Sequence, residues 1–161
     1  MKTRTMTVLL RAVLVVAAAL GLLVCVVALP EMGKVIAAAA PEFAWALRPC
    51  LIWSWAFALP IFAAMVPCWR IFGSISAPGG PFTRANVRSL RWIAALALLD
   101  ALVFPAGMLI LGHMGAGQPF LTVVVTPVVM FSCAAVGLGA WVLSHLVSGA
   151  VELREENELT I

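Results

Sequence analysis

The residue with the clearest capacity for chemistry is Asp100, an acid that stands alone in a long apolar stretch. It lies about 12 Å from the arginine-rich end of that stretch, at about 1.5 Å per helical residue. An ionised carboxylate at such a depth in lipid costs several kcal/mol, so a functional role is the default hypothesis. Asp100 could hold a proton or cation during transport, accept a hydrogen bond from a Ser, Thr or Trp, or reach water from a tilted helix.

The histidines and cysteines do not have the spacing of a metal or redox centre. His113 and His145 lie near opposite ends of their apolar stretches and have no further ligands clustered around them. The cysteines occur singly, without C-x-x-C spacing, at Cys25, Cys50, Cys68 and Cys133. We therefore predict no metal, no cofactor and no catalytic residues, and thus a protein that is not an enzyme.

Two sets of charged residues are spaced for single helical faces. The first, here called the arginine stripe, is Arg84, Arg88 and Arg91, in a helix for which Thr83 is the predicted N-cap. The second, the glutamate face, is Glu152, Glu155 and Glu156. Either the stripe lies against anionic lipid headgroups above a solvated tail, or it contacts the glutamate face and docks the tail beneath the bundle. The aliphatic ends of the tail, Leu159 and Ile161, could fill a groove on a partner.

Composition identifies the class of the protein. Of its 161 residues, 64% are hydrophobic and 11% are charged, whereas soluble domains carry about 25% charged residues. Four segments can cross about 30 Å of hydrocarbon, and lipid requires them to be helical. The sequence thus predicts an all-α, four-helix membrane bundle forming one domain over 1–161, with an acidic tail over 148–161. The predicted spans are 12–29, 50–72, 92–112 and 120–147. The first could instead be a signal peptide, although its apolar stretch is longer than the usual 7–15 residues.

The distribution of Lys and Arg predicts the orientation. Cytoplasmic loops are enriched in both residue types, and eight of the ten lie at the N-terminus, around the second loop or in the tail, leaving Lys34 and Arg48 for the first loop. Both termini are therefore predicted to be cytoplasmic. An even number of spans independently requires the two termini to share one side.

Small residues at helical spacing predict close helix packing, because helices in lipid gain no hydrophobic drive from one another. Such residues occur in the first span and the fourth: Ala17, Gly21, Ala135, Gly139, Ala140 and Ser144. They could pack within the bundle or form the seam of a homo-oligomer. Trp53, near the outer end of the second span, is predicted to belong to an aromatic belt at the membrane surface.

The loop and the tail resemble a known family. The loop reads Pro81-Phe82-Thr83, then Asn86 and Leu90-Arg91, and the chain ends L-R-E-E-N-E-L-T-I, including Asn157. With the four spans, this layout is similar to an uncharacterised bacterial four-span membrane family, a domain of unknown function. Its members are often encoded beside a small helix-turn-helix regulator. The resemblance implies a cytosolic transcription regulator as partner, and it assigns no catalytic residues.

Two functions are consistent with these residues. The preferred hypothesis is a non-enzymatic regulatory or sensory membrane protein whose cytoplasmic face, the arginine stripe and the tail, contacts a partner. The alternative is a small transporter or channel subunit that uses Asp100. Direct nucleic-acid binding is not predicted, because the stripe is short, topology alone requires positive charge there, and no recognition module follows it.

Overall fold

The computed structural model of the chain describes residues 2–77 and 80–159, and this part is an all-α multi-pass membrane protein. Four of its helical segments are long and apolar enough to cross a membrane. The α-helices are α1 (Lys2–Leu23), α2 (Leu29–Ala39), α3 (Leu47–Ser74), α4 (Arg84–His113) and α5 (Thr126–Leu159). The helical class and the number of spans predicted from the sequence are confirmed.

The first helical segment is longer than its predicted span. The sequence predicted a loop from Pro30, but α1 continues through a π-helical stretch, Val24–Ala28, directly into α2. At the end of that wider turn the Leu29 N–H bonds to the Val24 carbonyl, five residues back. A proline kinks or breaks an ordinary helix because it lacks an N–H and its ring meets the carbonyl four residues earlier. The π-helical turn changes that spacing, so the helix continues past Pro30 to Ala39.

The fourth segment uses the same arrangement at Pro127. A π-helical stretch, Leu121–Val125, precedes α5, and its last turn is closed by the Thr126 N–H on the Leu121 carbonyl. The Thr126 hydroxyl donates to the same carbonyl at 2.9 Å. From there α5 runs beyond the predicted span end at residue 147 as far as Leu159. The acidic tail is thus helical in its described part and extends about 18 Å past that point.

The spans pack in the order of the chain. Helix α4 contacts α3 on one side and α5 on the other, whereas α1 contacts α3 and neither α4 nor α5. Most of the buried residues consequently lie on α4, including Asp100 and Gly107. The central helix therefore carries the side chains that are most shielded from lipid.

Candidate functional site

A hydrogen-bonded turn fixes the junction between α3 and α4. The Thr83 hydroxyl accepts the backbone N–H of Asn86 at 3.3 Å, which confirms Thr83 as the N-cap of α4. The buried Asn86 side chain donates through Nδ2 to the Ser74 hydroxyl at 2.6 Å and to the Pro81 carbonyl at 2.6 Å. Asn86 thus ties the end of α3 and the loop to the start of α4, which sets where the arginine stripe lies.

One ion pair joins the start of α4 to the tail. Arg84 donates to both carboxylate oxygens of Glu155, from Nε to Oε1 at 3.0 Å and from Nη2 to Oε2 at 2.5 Å. This is the bidentate geometry that matches a guanidinium to a carboxylate. The stripe and the glutamate face therefore meet within one chain, as one of the two sequence-based interpretations proposed.

The pair is exposed to solvent, so it affects the ionisation of its two side chains more than the packing of the helices. The side chains of Arg84 and Glu155 are 76% and 48% exposed. The hydrogen bond from Arg84 lowers the pKa of the Glu155 carboxyl, and the same bond raises the pKa of Arg84. Exposed pairs contribute little to folding stability. The contact therefore places the tail helix beside the start of α4 but adds little to the free energy of unfolding.

The other members of the two sets line a cleft between α4 and α5. This cleft has a volume of about 280 Å³ and is bordered by Arg88, Arg91 and Glu152. Both arginines are exposed. Within residues 2–77 and 80–159, Arg84 is the stripe member whose guanidinium pairs with the glutamate face.

Three further residues predicted to contact a partner cannot be placed. Ile161 lies outside the described residues, and so do the side chains of Asn157 and Leu159. Glu156, the last member of the glutamate face that is described, is exposed on the tail helix. A role for Glu156 in contacting a partner stays a prediction.

Asp100 lies inside the bundle, on the central helix. It is 3% exposed, and its Oδ1 is buried without a hydrogen-bond partner. Cys133 of α5 is near enough to interact with it electrostatically. The hydrogen bond from a Ser, Thr or Trp that the sequence allowed is absent among the described residues, and the near-complete burial argues against a side chain that reaches water.

A contact between Trp53 and Gly107 was missed by sequence reasoning. Trp53 was predicted to lie in a belt at the membrane surface, but its indole lies over Gly107 of α4, where a Cβ atom would overlap the ring. Its ring centroid is 5.0 Å from that of Phe104, which in turn contacts Phe57 at 5.0 Å. The glycine is what lets the indole enter, and no sequence signal identified which glycine in these spans would face a tryptophan.

The small residues predicted to pack divide into two groups. Gly21 lies against the Phe62 ring, Ala140 is half-buried, and Ser144 is fully buried and donates to the Trp141 carbonyl at 2.7 Å. In contrast, three others are exposed in the described part of the chain: Ala17, Ala135 and Gly139.

The difference between the two groups of small residues has a geometric reason. The face of α5 that meets α4 carries Gly137, Ala140 and Ser144, at spacings of three and four, and the predicted pair Ala135 and Gly139 lies on another face. Gly137 admits the Leu98 side chain of α4. A homo-oligomer seam on the outward residues stays a prediction.

Comparisons with known proteins agree with this architecture. The chain is 24% identical over 160 residues to the uncharacterised membrane protein YoaS of Bacillus subtilis (strain 168), covering 98% of this chain and 99% of that protein. No solved structure matches it. The family model described as a protein of unknown function, DUF2975, matches residues 31–161. That match covers three of the four spans and the tail, and the chain therefore belongs to the DUF2975 family.

Proposed function

We propose that this chain is a non-enzymatic regulatory membrane protein that binds a cytosolic protein through its arginine end. By this term we mean the end of the bundle that carries the arginine stripe and the tail. The observation that carries the proposal is the bidentate pair between Arg84 and Glu155, because it joins an exposed, charged tail helix to the arginine stripe at the start of α4.

The shape of the tail supports this function. Helix α5 continues about 18 Å beyond residue 147 and presents Glu152 and Glu156 to solvent in a fixed register. An ordered helix loses less conformational entropy on binding than a flexible tail does. The excess of Lys and Arg at this end supports its placement in the cytoplasm. A small helix-turn-helix regulator, which the resemblance implies, would meet an acidic helix there.

Copurification tests this function. The tagged full-length protein is crosslinked in cells, extracted in mild detergent and analysed by mass spectrometry. We expect a cytosolic partner that is lost when residues 153–161 are deleted and when Glu155 and Glu156 are both changed to Lys. The matched control is Glu31→Lys, which breaks another exposed ion pair, with Lys34 at 2.6 Å, in a different part of the chain. Retention of every partner by the truncated protein would contradict the proposal.

A second candidate function, proton or cation transport, is favoured by one observation. The Oδ1 of Asp100 is buried on the central helix without a hydrogen-bond partner. Such an intramembrane acid is a common element of proton relays. The test is pH-dependent flux in proteoliposomes. Loss of flux in Asp100→Asn, with flux retained in Glu31→Gln, would support transport, and equal flux in the native protein and Asp100→Asn would exclude this role for Asp100.

A further inference from the structure

A groove of about 690 Å³ lies between the end of α3 and the start of α4. At the arginine end its lining is basic and polar, with Arg70 from α3 and with Arg84 and Arg88 from α4. Further along both helices, toward the middle of the membrane, the lining becomes apolar at Val66 and Leu96. The groove is thus cationic at one end and hydrocarbon-like at the other.

Two of its three arginines have no anionic partner within the described residues. Arg84 is already paired with Glu155. Arg70 and Arg88 are exposed, and neither forms a hydrogen bond or ion pair with another described residue. Two unpaired guanidinium groups on the wall of one groove favour an anion, and phosphate oxygens match their donor geometry.

The apolar end limits what kind of anion fits. A free ion would use only the arginine end and leave the surface between Val66 and Leu96 unfilled. A diacyl lipid fills both parts, because its headgroup lies at the membrane surface and its chains run along the helices. The position of the groove agrees, since Arg70 and Arg88 lie close to the predicted span ends at residues 72 and 92.

We propose that this groove is a binding site for one anionic phospholipid, with its phosphate between Arg70 and Arg88 and an acyl chain along Val66 and Leu96. The site shares Arg84 and Arg88 with the proposed partner surface, whereas Arg70 lies outside that surface, so Arg70→Gln tests lipid binding separately from partner binding. Arg91 provides the matched control for Arg88. It has the same charge and belongs to the same stripe, but it lines the cleft toward α5 and not this groove.

The experiment measures retained lipid by native mass spectrometry of the full-length protein in nonionic detergent. The probes are dioleoylphosphatidylglycerol and, as the neutral control, dioleoylphosphatidylcholine. We expect one phosphatidylglycerol to be bound in preference to phosphatidylcholine. Each of Arg70→Gln and Arg88→Gln should weaken its binding about fivefold, the equivalent of about 1 kcal/mol for one arginine at a lipid surface. Arg91→Gln should leave it unchanged.

Three results would overturn the proposal. If Arg91→Gln weakens phosphatidylglycerol binding as much as Arg70→Gln and Arg88→Gln do, the lipid is held by the general positive charge of this surface and not by the groove. If phosphatidylcholine is retained equally, the phosphate site has no preference for a lipid with a net negative charge. Displacement of the lipid by an equal concentration of inorganic phosphate would assign the groove to the free ion. If Arg88→Gln does not elute as a single species during purification, the comparison of Arg88→Gln with Arg91→Gln is replaced by a comparison of Arg88→Lys with Arg91→Lys. Arg88→Lys should then weaken binding and Arg91→Lys should not, because Arg88, unlike Arg91, offers the phosphate a planar fork.

Discussion

The contact between Trp53 and Gly107 allows the packing of α3 on the central helix to be tested by adding a single methyl group. In Gly107→Ala the new Cβ would overlap the Cδ1 and Nε1 atoms of the Trp53 indole. The indole cannot yield by bending a flexible tip, so the whole ring has to move. That movement disturbs its contact with Phe104, at 5.0 Å between centroids.

The expected cost follows from two opposing effects. Overpacking a well-packed site by a methyl group costs about 1–3 kcal/mol. Replacing a helical Gly by Ala gains up to about 1 kcal/mol. We therefore expect Gly107→Ala to lower the free energy of unfolding by up to about 2 kcal/mol.

A matched control separates the two effects. Gly139 is also in a helix, but a Cβ there has no neighbour within 4 Å. Gly139→Ala should therefore show the helix gain without the overlap, and the difference between the two variants is the overpacking energy itself. Unfolding is measured by titrating SDS into detergent micelles and following tryptophan fluorescence, with both variants compared with the native chain.

A double variant tests the cause directly. In a Trp53→Leu background the ring is gone, so adding Gly107→Ala should cost nothing further, and the coupling between the two changes should be about 1 kcal/mol or more. Equal stability of Gly107→Ala and Gly139→Ala would refute the packing argument, and so would a cost of Gly107→Ala that persists without the indole.

Three other outcomes can be measured on the same protein. Asn86→Ala removes hydrogen bonds to Ser74 and Pro81 and should lower the free energy of unfolding by about 1–3 kcal/mol, with faster proteolysis of the α3–α4 loop. Because the pKa of Glu155 is lowered, the attachment of the tail should be complete above the ordinary carboxyl range near pH 4.3 and be lost as the pH falls through the lowered pKa. NMR titration of the Glu155 carboxyl should therefore give a higher midpoint in Arg84→Gln and the native midpoint in Arg91→Gln. Asp100→Ala breaks no hydrogen bond and removes a buried polar group without a partner, so it should raise the free energy of unfolding, by up to about 1–3 kcal/mol; a loss of stability would show that the carboxyl has a partner.

The parts of the fold set by local chemistry could be predicted from the sequence. The number of spans follows from segment length and hydrophobicity, and the start of α4 follows from a capping residue, Thr83, whose hydroxyl accepts the Asn86 N–H. The contact between Arg84 and Glu155 could also be predicted from the sequence, because charges at helical spacing on two elements at one membrane surface have few other partners.

The parts that depend on which way a helix faces could not be predicted. In water, the apolar face of a helix identifies the core, but in lipid the outward face is apolar as well. The positions of small residues then do not indicate which face of a helix contacts its neighbour. The sequence therefore predicted packing at Ala135 and Gly139 and not at Gly137. Proline often ends a helix, and the π-helical turn that precedes Pro30 has no sequence signature of its own.

The order in which the spans contact one another has a consequence for how the protein is made. Each span packs against its neighbours in the chain, and the contacts of α3 with α4 and of α4 with α5 are more extensive than those of α3 with α1. A span that enters the bilayer during synthesis therefore finds one of its partners already inserted, and α3 and α4 gain their larger contacts when the following span arrives. Assembly can proceed stepwise from the ribosome with short loops to close, and contacts between neighbours in sequence also favour fast folding. The central helix completes its packing only when the last span arrives, so Asp100 is shielded from lipid at the final step of biogenesis.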